Sequence, residues 1–408
     1  MIKIDLRPIL SELKLARFGS ILLVAALTSC GGNEPDEVAS TSAAPSSEGG
    51  PIAPMFEVDP FWPQPLPNHW IIGSAIGVSV DSRDHVWIIH RQGSLNERTE
   101  MSAGTTPPTA ECCIPAPPVL EFDPEGNLVN SWGGPGAGYD WPTSNHGITV
   151  DHMDNVWIGG NGPTDAHILK FSRGGQLLMQ LGAPGASGGS HDTENFGRVA
   201  KISFDTDANE AYVADGYGNK RVAVLDMTTG ELKRYWGAYG NRPDDTDLGP
   251  YDPDAPLAQQ FRNPVHCAEP SNDGLVYVCD RPNDRVQVFR KDGTYVSEVR
   301  IAPTTLGDGS VWDIAFSKDP EQTYIYLADG KNERVYIILR ETMETLTTFG
   351  DGGRQPGQFF AVHSIATDSI GNIYTTETYE GKRVQKFVYQ GLGPVTAEHQ
   401  GALWPQRN

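Results

Sequence analysis

The chain has 408 residues, with 52 Asp and Glu against 31 Lys and Arg, for a formal charge of −21. That surplus argues against a nucleic-acid interface, which needs clustered cations to displace phosphate counterions. Apolar residues at 38% suffice for a large core, while 45 Gly and 31 Pro disfavour long helices and favour turn-rich β-structure.

The first predicted element is a targeting segment. Lys3, Arg7, Lys14 and Arg17 precede an apolar run from Phe18 to Leu27. That run is too short to cross a ~30 Å hydrocarbon core as a helix, so it reads as the core of a signal peptide. Leu27-Thr28-Ser29-Cys30 resembles the bacterial lipobox, in which signal peptidase cuts ahead of a cysteine that receives lipid. Residues 1–29 are therefore expected to be a lipoprotein signal peptide and Cys30 the lipidated residue. Losing four cations and two acids with that segment leaves the mature chain at −23. Residues 30–54 hold almost no bulky apolar side chains and read as the lipidated cysteine plus a flexible linker. Gly31 stands where an aspartate would direct retention at the inner membrane. The expected location is the cell envelope, at the outer membrane, held through the lipid anchor only.

From residue 55 to 395 the chain repeats a unit. A β-prone string recurs as VWII at 86–89, VWIG at 156–159, AYVA at 211–214, VYVC at 276–279, IYLA at 325–328 and IYTT at 373–376. A polar turn precedes each string, and before it lies another short strand, as in HGITVD and HSIATD. A third strand follows, as in KRVAVLD at 220–226 and DRVQVFR at 284–290, and a fourth often ends in a glycine turn, as in KRYWGAYG. Six units of four strands predict an all-β fold, a six-bladed β-propeller. The sixth unit lacks a good fourth strand after Val388, and MFEVDPF at 55–61 is expected to supply it and close the ring. Residues 396–408 are left as a C-terminal tail. The W/F-G-x-x-G turns and N-x-R-V segments resemble NHL repeats, a functionally mixed family.

Aligning the first strands puts Ile76, His146, Ala200, His266, Trp312 and His363 at their openings. Histidine falls in blades two, four and six. First strands line the channel of a propeller, so the three imidazoles would converge about 120° apart around one axis. Three histidines with a fourth position open are a catalytic zinc arrangement. The second strands end at the same rim, which places Arg91, Tyr217 and Arg281 above the histidines. Two guanidinium forks suit a substrate with a carboxylate, and a tyrosine between cations is suited to act as a base.

Together these residues resemble the peptidyl-α-hydroxyglycine α-amidating lyases. The match runs through IIHR at 88–91, NHGITVDHMDNVWI at 145–158, ADGYGNKRV at 214–222, PVH with CDRPNDRVQVF, and VHSIATDSIGNIY at 362–374. The resemblance implies cleavage of a peptidyl-α-hydroxyglycine into an amide and glyoxylate. It implies Zn2+ on His146, His266 and His363, Tyr217 as the base, and Arg91 and Arg281 holding the phenolate and the carboxylate. It also implies Ca2+ on the backbone carbonyls of Val78, Ile148 and Ser364. Ala361 stands where the family has a methionine beside the third histidine, and Gly218 stands where it has a cysteine. The substrate is therefore expected to be a peptide or another small α-hydroxy-amide, bound by a monomer.

Two other readings compete. A propeller hydrolase or lactonase would surround calcium with carboxylates and Asn, which the histidines oppose. A non-catalytic binding module would leave their alternation without a purpose. Two long loops flank the expected pocket, Gln92 to Pro118 and Asn241 to Ala258, and loops of this length are either lids or disordered decoration. With Cys30 lipidated, four cysteines remain in an oxidising compartment. Cys267 and Cys279 flank the Asn272-Asp273-Gly274 turn and are expected to bridge the blade-four hairpin. Cys112 and Cys113 would form a vicinal disulfide or stay reduced.

Overall fold

The structure, a computed structural model, describes residues 50–405. The expected signal peptide at 1–29, Cys30 and the linker up to residue 49 lie outside the described residues. Six four-stranded antiparallel sheets form the propeller, and the helices among the described residues are four 3-10 turns of three residues each.

In blades one to five the strands run outward from the axis in chain order. Blade one comprises Ser74–Val80, Val86–Arg91, Val119–Phe122 and Leu128–Trp132. In blade four the order is Val265–Pro270, Leu275–Asp280, Arg285–Arg290 and Tyr295–Arg300. Neighbouring blades cover both faces of the second strands, so these read as continuous apolar runs instead of alternating ones. Trp87 and Trp157, from VWII and VWIG, are fully buried between blades. Outer strands such as Leu128–Trp132 and Leu177–Gly182 have one side at the surface.

The ring closes as expected, though from three residues earlier than Met55. Ile52–Asp59 pairs with Arg383–Pro394 as the outer strand of blade six, with Phe56 opposite Tyr389 and Val58 opposite Phe387. Phe56 then packs on Phe349 and Tyr326 of blade five, so closure buries an aromatic cluster as well as pairing a strand edge. The segment after 395 runs back along the same rim. Leu403 bridges Glu57, and His399 bridges Thr348 on the outer strand of blade five.

A buried ion pair fixes the turn after the second strand in three blades. Asp215 accepts from Arg221 Nε at 2.8 Å, Asp280 from Arg285 Nε at 2.7 Å, and Glu377 from Arg383 Nε at 2.6 Å. Asn219 and Asn283 donate to the same two aspartates at 2.7 and 2.8 Å. The N-x-R-V signature thus rigidifies the turns that project into the channel mouth.

Candidate metal and substrate site

The three histidines enter the channel on the innermost strands of blades two, four and six: Asn145–Val150, Val265–Pro270 and Val362–Thr367. Their ring centroids stand 4.9, 4.9 and 5.2 Å apart, a nearly equilateral triangle. The next blade orients each imidazole. Nδ1–H of His146 donates to the Ala200 carbonyl at 2.7 Å, that of His363 to Ile76 at 2.8 Å, and that of His266 to Trp312. The acceptors are the openers of blades three, one and five, the positions without histidine. Gly147 permits this approach, because a Cβ there would lie 2.4 Å from the Ala200 carbonyl oxygen.

With Nδ1 protonated, each Nε2 lone pair faces the axis. Burial foremost, with repulsion from Arg91, Arg281 and neighbouring imidazoles, holds all three histidines well below their usual range, so the rings are neutral. Tyr217 Oη lies 3.0 Å from His146 Nε2 and 3.1 Å from His266 Nε2. A phenol has one proton and cannot satisfy two lone pairs. Three nitrogens within 4.8 Å of one another and a phenol oxygen therefore form an electron-rich cluster that fits a cation. The set is chemically suited to zinc.

Tyr217 is carried by the pinned turn after Glu210–Asp215, and Arg281 by the 3-10 turn Arg281–Asn283. Gly216 is required beside the tyrosine, since a Cβ would lie 2.0 Å from the Val265 carbonyl oxygen. Arg281 donates Nη1 to Tyr217 Oη at 3.3 Å and stacks its guanidinium on Trp312 at 4.5 Å from the ring centroid. Arg91, at the end of its strand, is aimed by Nε to the Asn145 carbonyl at 3.1 Å and by Nη2 to Asn161 Oδ1 at 2.8 Å. All six residues singled out as zinc ligands, base and carboxylate clamp thus gather at one mouth.

Among curated proteins the chain is 26% identical over 298 residues to NHL repeat-containing protein 3 of Mus musculus, covering 71% of this chain and 67% of that one. It is 26% identical over 360 residues to peptidyl-alpha-hydroxyglycine alpha-amidating lyase 1 of Drosophila melanogaster, covering 81% and 59%. Against peptidyl-glycine alpha-amidating monooxygenase B of Xenopus laevis the identity is 24% over 346 residues, covering 80% and 35%. The chain is a six-bladed propeller similar in sequence to NHL-repeat proteins and amidating lyases. It spans between a third and two thirds of the length of these relatives. No family model matches it.

Sequence reasoning missed Tyr379 and Asp308. Tyr379 lies two residues beyond Ile373–Glu377 of blade six, as Tyr217 lies two beyond Glu210–Asp215 of blade three, on the opposite side of the ring. Burial raises its phenol, and Asp308, Arg281, Tyr217 and Arg91 all act on it. Aligning the turns as well as the strands would have found it. Asp308 approaches Arg281 Nη2 at 3.5 Å. The Asn241 to Ala258 loop borders a cavity of about 230 Å³ lined by Lys220, Leu248, Tyr251, Arg262, Arg281 and Asp308. The other loop is anchored by Lys382, which donates to Glu100 at 2.7 Å, and by Gln92, which donates to the Ala116 carbonyl at 2.7 Å.

Both cysteine pairs are joined, Cys267 to Cys279 and Cys112 to Cys113. The first lies directly across the blade-four hairpin and ties down the residue after His266. A second set of potential ligands, Asp81, His85 and Glu121, is already served by a cation. Arg173 pairs with Asp81 at 2.7 Å and with Glu121.

Proposed function

We propose that the chain is a zinc-dependent carbon–nitrogen lyase that cleaves a peptidyl-α-hydroxyglycine or a related α-hydroxy-amide into an amide and glyoxylate. One observation carries this reading: three inward-facing imidazole lone pairs share one chamber with a phenol and two guanidiniums. Sequence similarity to an amidating lyase over 81% of the chain supports it. Zinc held by His146, His266 and His363 would supply Lewis acidity toward the substrate hydroxyl oxygen.

The chain's own residues do the rest. Arg91 and Arg281 pair with the carboxylate and fix the reacting carbon beside Tyr217. Tyr217, held by the Arg281 hydrogen bond, takes the hydroxyl proton as the base. The oxygen's electron pair forms the carbonyl as the C–N bond breaks, and the proton passes to the departing amide nitrogen, with no net redox change. The cavity beside Arg281 receives the remainder of the substrate. The setting is a lipid-anchored envelope protein acting as a monomer on a small molecule or peptide, without nucleic acid.

Metal analysis of the purified chain is the first test, and absence of a stoichiometric transition metal removes the reading. Glyoxylate release from a hydroxyglycine-terminated peptide should be lost in His266→Ala and fall by roughly 10²–10⁴ in Tyr217→Phe. Unchanged turnover in Tyr217→Phe would dismiss the tyrosine as the base. Similarity to NHL repeat-containing protein 3 favours the second reading, a binding propeller, which predicts a metal-free chain without turnover.

A further inference from the structure

Below the histidine ring a second layer of side chains crosses the axis. Lys201 follows Ala200, Asp313 follows Trp312 and Ser364 follows His363, so each is one residue beyond a member of the histidine–carbonyl ring. Lys201 Nζ lies 2.7 Å from Asp313 Oδ1 and 2.8 Å from Glu269 Oε1. Ser364 donates Oγ to Asp313 Oδ2 at 2.7 Å, and Ser203 donates Oγ to Glu269 at 2.7 Å. The cluster ties blades three, four, five and six together at the axis.

Lys201 lines two cavities at once. One is a void of about 10 Å³ directly under the imidazoles, shared with Ile148 and Ser364. The other is a funnel of about 300 Å³ at the opposite mouth, where Val78 lies. Lys201 therefore borders both spaces that are lined by the three residues whose carbonyls the resemblance assigns to calcium. These surroundings do not fit that ion. The lysine side chain is 12% exposed and Asp313 2%, so a divalent cation would meet a fixed positive charge with little water to screen it. Burial alone would lower the lysine, yet Asp313 and Glu269 outweigh it and hold its proton more tightly than usual.

We propose that Lys201 is the resident cation of the propeller axis, with its ammonium in the place of a structural calcium. The histidine ring is then the metal centre, and the layer beneath it is a covalently attached counterpart of an ion. This does not depend on which metal the histidines hold or on the reaction above.

The experiment uses the full-length chain, equilibrated with millimolar calcium, gel-filtered into calcium-free buffer and analysed for metal, with melting followed with and without calcium. Wild type should retain no stoichiometric calcium and show no shift in melting temperature. Retention of about one equivalent, or a calcium-dependent rise in melting, overturns the proposal. Lys201→Met leaves Asp313 and Glu269 without their cation and should melt lower than wild type, with calcium recovering part of the loss. A Lys201→Met chain that melts like wild type, or gains nothing from calcium, also overturns it. If that variant does not fold, the wild-type calcium measurement decides alone.

Discussion

Arg281 stands in the mouth with part of its hydrogen-bonding capacity unused. It is 6% exposed, stacked on Trp312 and bonded to Tyr217, while its buried Nε has no partner. A buried guanidinium nitrogen left unpaired is costly, and a bound carboxylate is the natural acceptor for it. Lysine at this position keeps the charge and loses the fork. Arg281→Lys should therefore lower kcat/KM for glyoxylate release by roughly 10- to 100-fold, from the ~1.5–3 kcal/mol of one hydrogen bond to a charged group. Equal kinetics in the lysine variant would show that point charge alone is enough. Arg91 and Arg281 could be read from sequence because their types and turn positions are visible there. The carbonyls that orient the imidazoles could not, since a backbone acceptor leaves no mark on residue identity. Ala200, Trp312 and Ile76 look like failed members of the histidine series, yet they hold its other half.

At the scale of the element, the blade-four hairpin carries both a histidine and the turn that aims Arg281. Val265–Pro270 and Leu275–Asp280 are joined at the directly opposed pair Cys267 and Cys279, with Cα atoms 4.8 Å apart. The symmetric placement about Asn272-Asp273-Gly274 made this pairing legible. Closing a loop of this size removes chain entropy from the unfolded state worth ~3 kcal/mol. Replacing both cysteines by serine should thus lower unfolding stability by ~2–3 kcal/mol in chemical denaturation. Activity below the melting transition should change less, because the Trp312 carbonyl still orients His266. A variant as stable as wild type would mean that the hairpin is equally restricted when unfolded. The Lys201 layer stayed hidden at this scale, since its partners lie 68 and 112 residues away and share no local pattern with it.

Over the whole molecule, six recurring strings were enough to give blade number and closure, because stacked blades impose the same burial on every second strand. The return of the chain after residue 395 was illegible, as its contacts are made largely by backbone. Charge shapes the molecule as a whole too, and its consequence can be tested. Burial raises Asp284 to about 7 and Asp329 to about 6, and Glu377 also to about 6 despite Arg383. Carboxyls of this kind stabilise the fold fully below their unfolded values near ~4, and that contribution is lost as pH rises through 6–7. Glu210 behaves in the opposite way: against its burial, Arg234, Lys233 and Tyr212 hold it down at about 2. Its contribution is intact above ~4.5 and lost below. The two windows do not overlap, and self-repulsion in a chain of −21 adds to the loss on the alkaline side. Melting temperature should therefore rise as pH falls from about 7.5 to about 5, then drop in stronger acid. Asp284 isolates the effect. Its Oδ1 accepts from Ser310 N at 2.8 Å and Ser310 Oγ at 3.1 Å, its buried Oδ2 has no partner, and its φ of 52° is a conformation asparagine adopts readily. Asp284→Asn reproduces the protonated acid in shape without the buried charge. It should be more stable than wild type by on the order of 1–3 kcal/mol at about pH 7.5, with the gap closing by about pH 5. A variant less stable than wild type at neutral pH would mean that the ionised carboxylate is the form the fold requires.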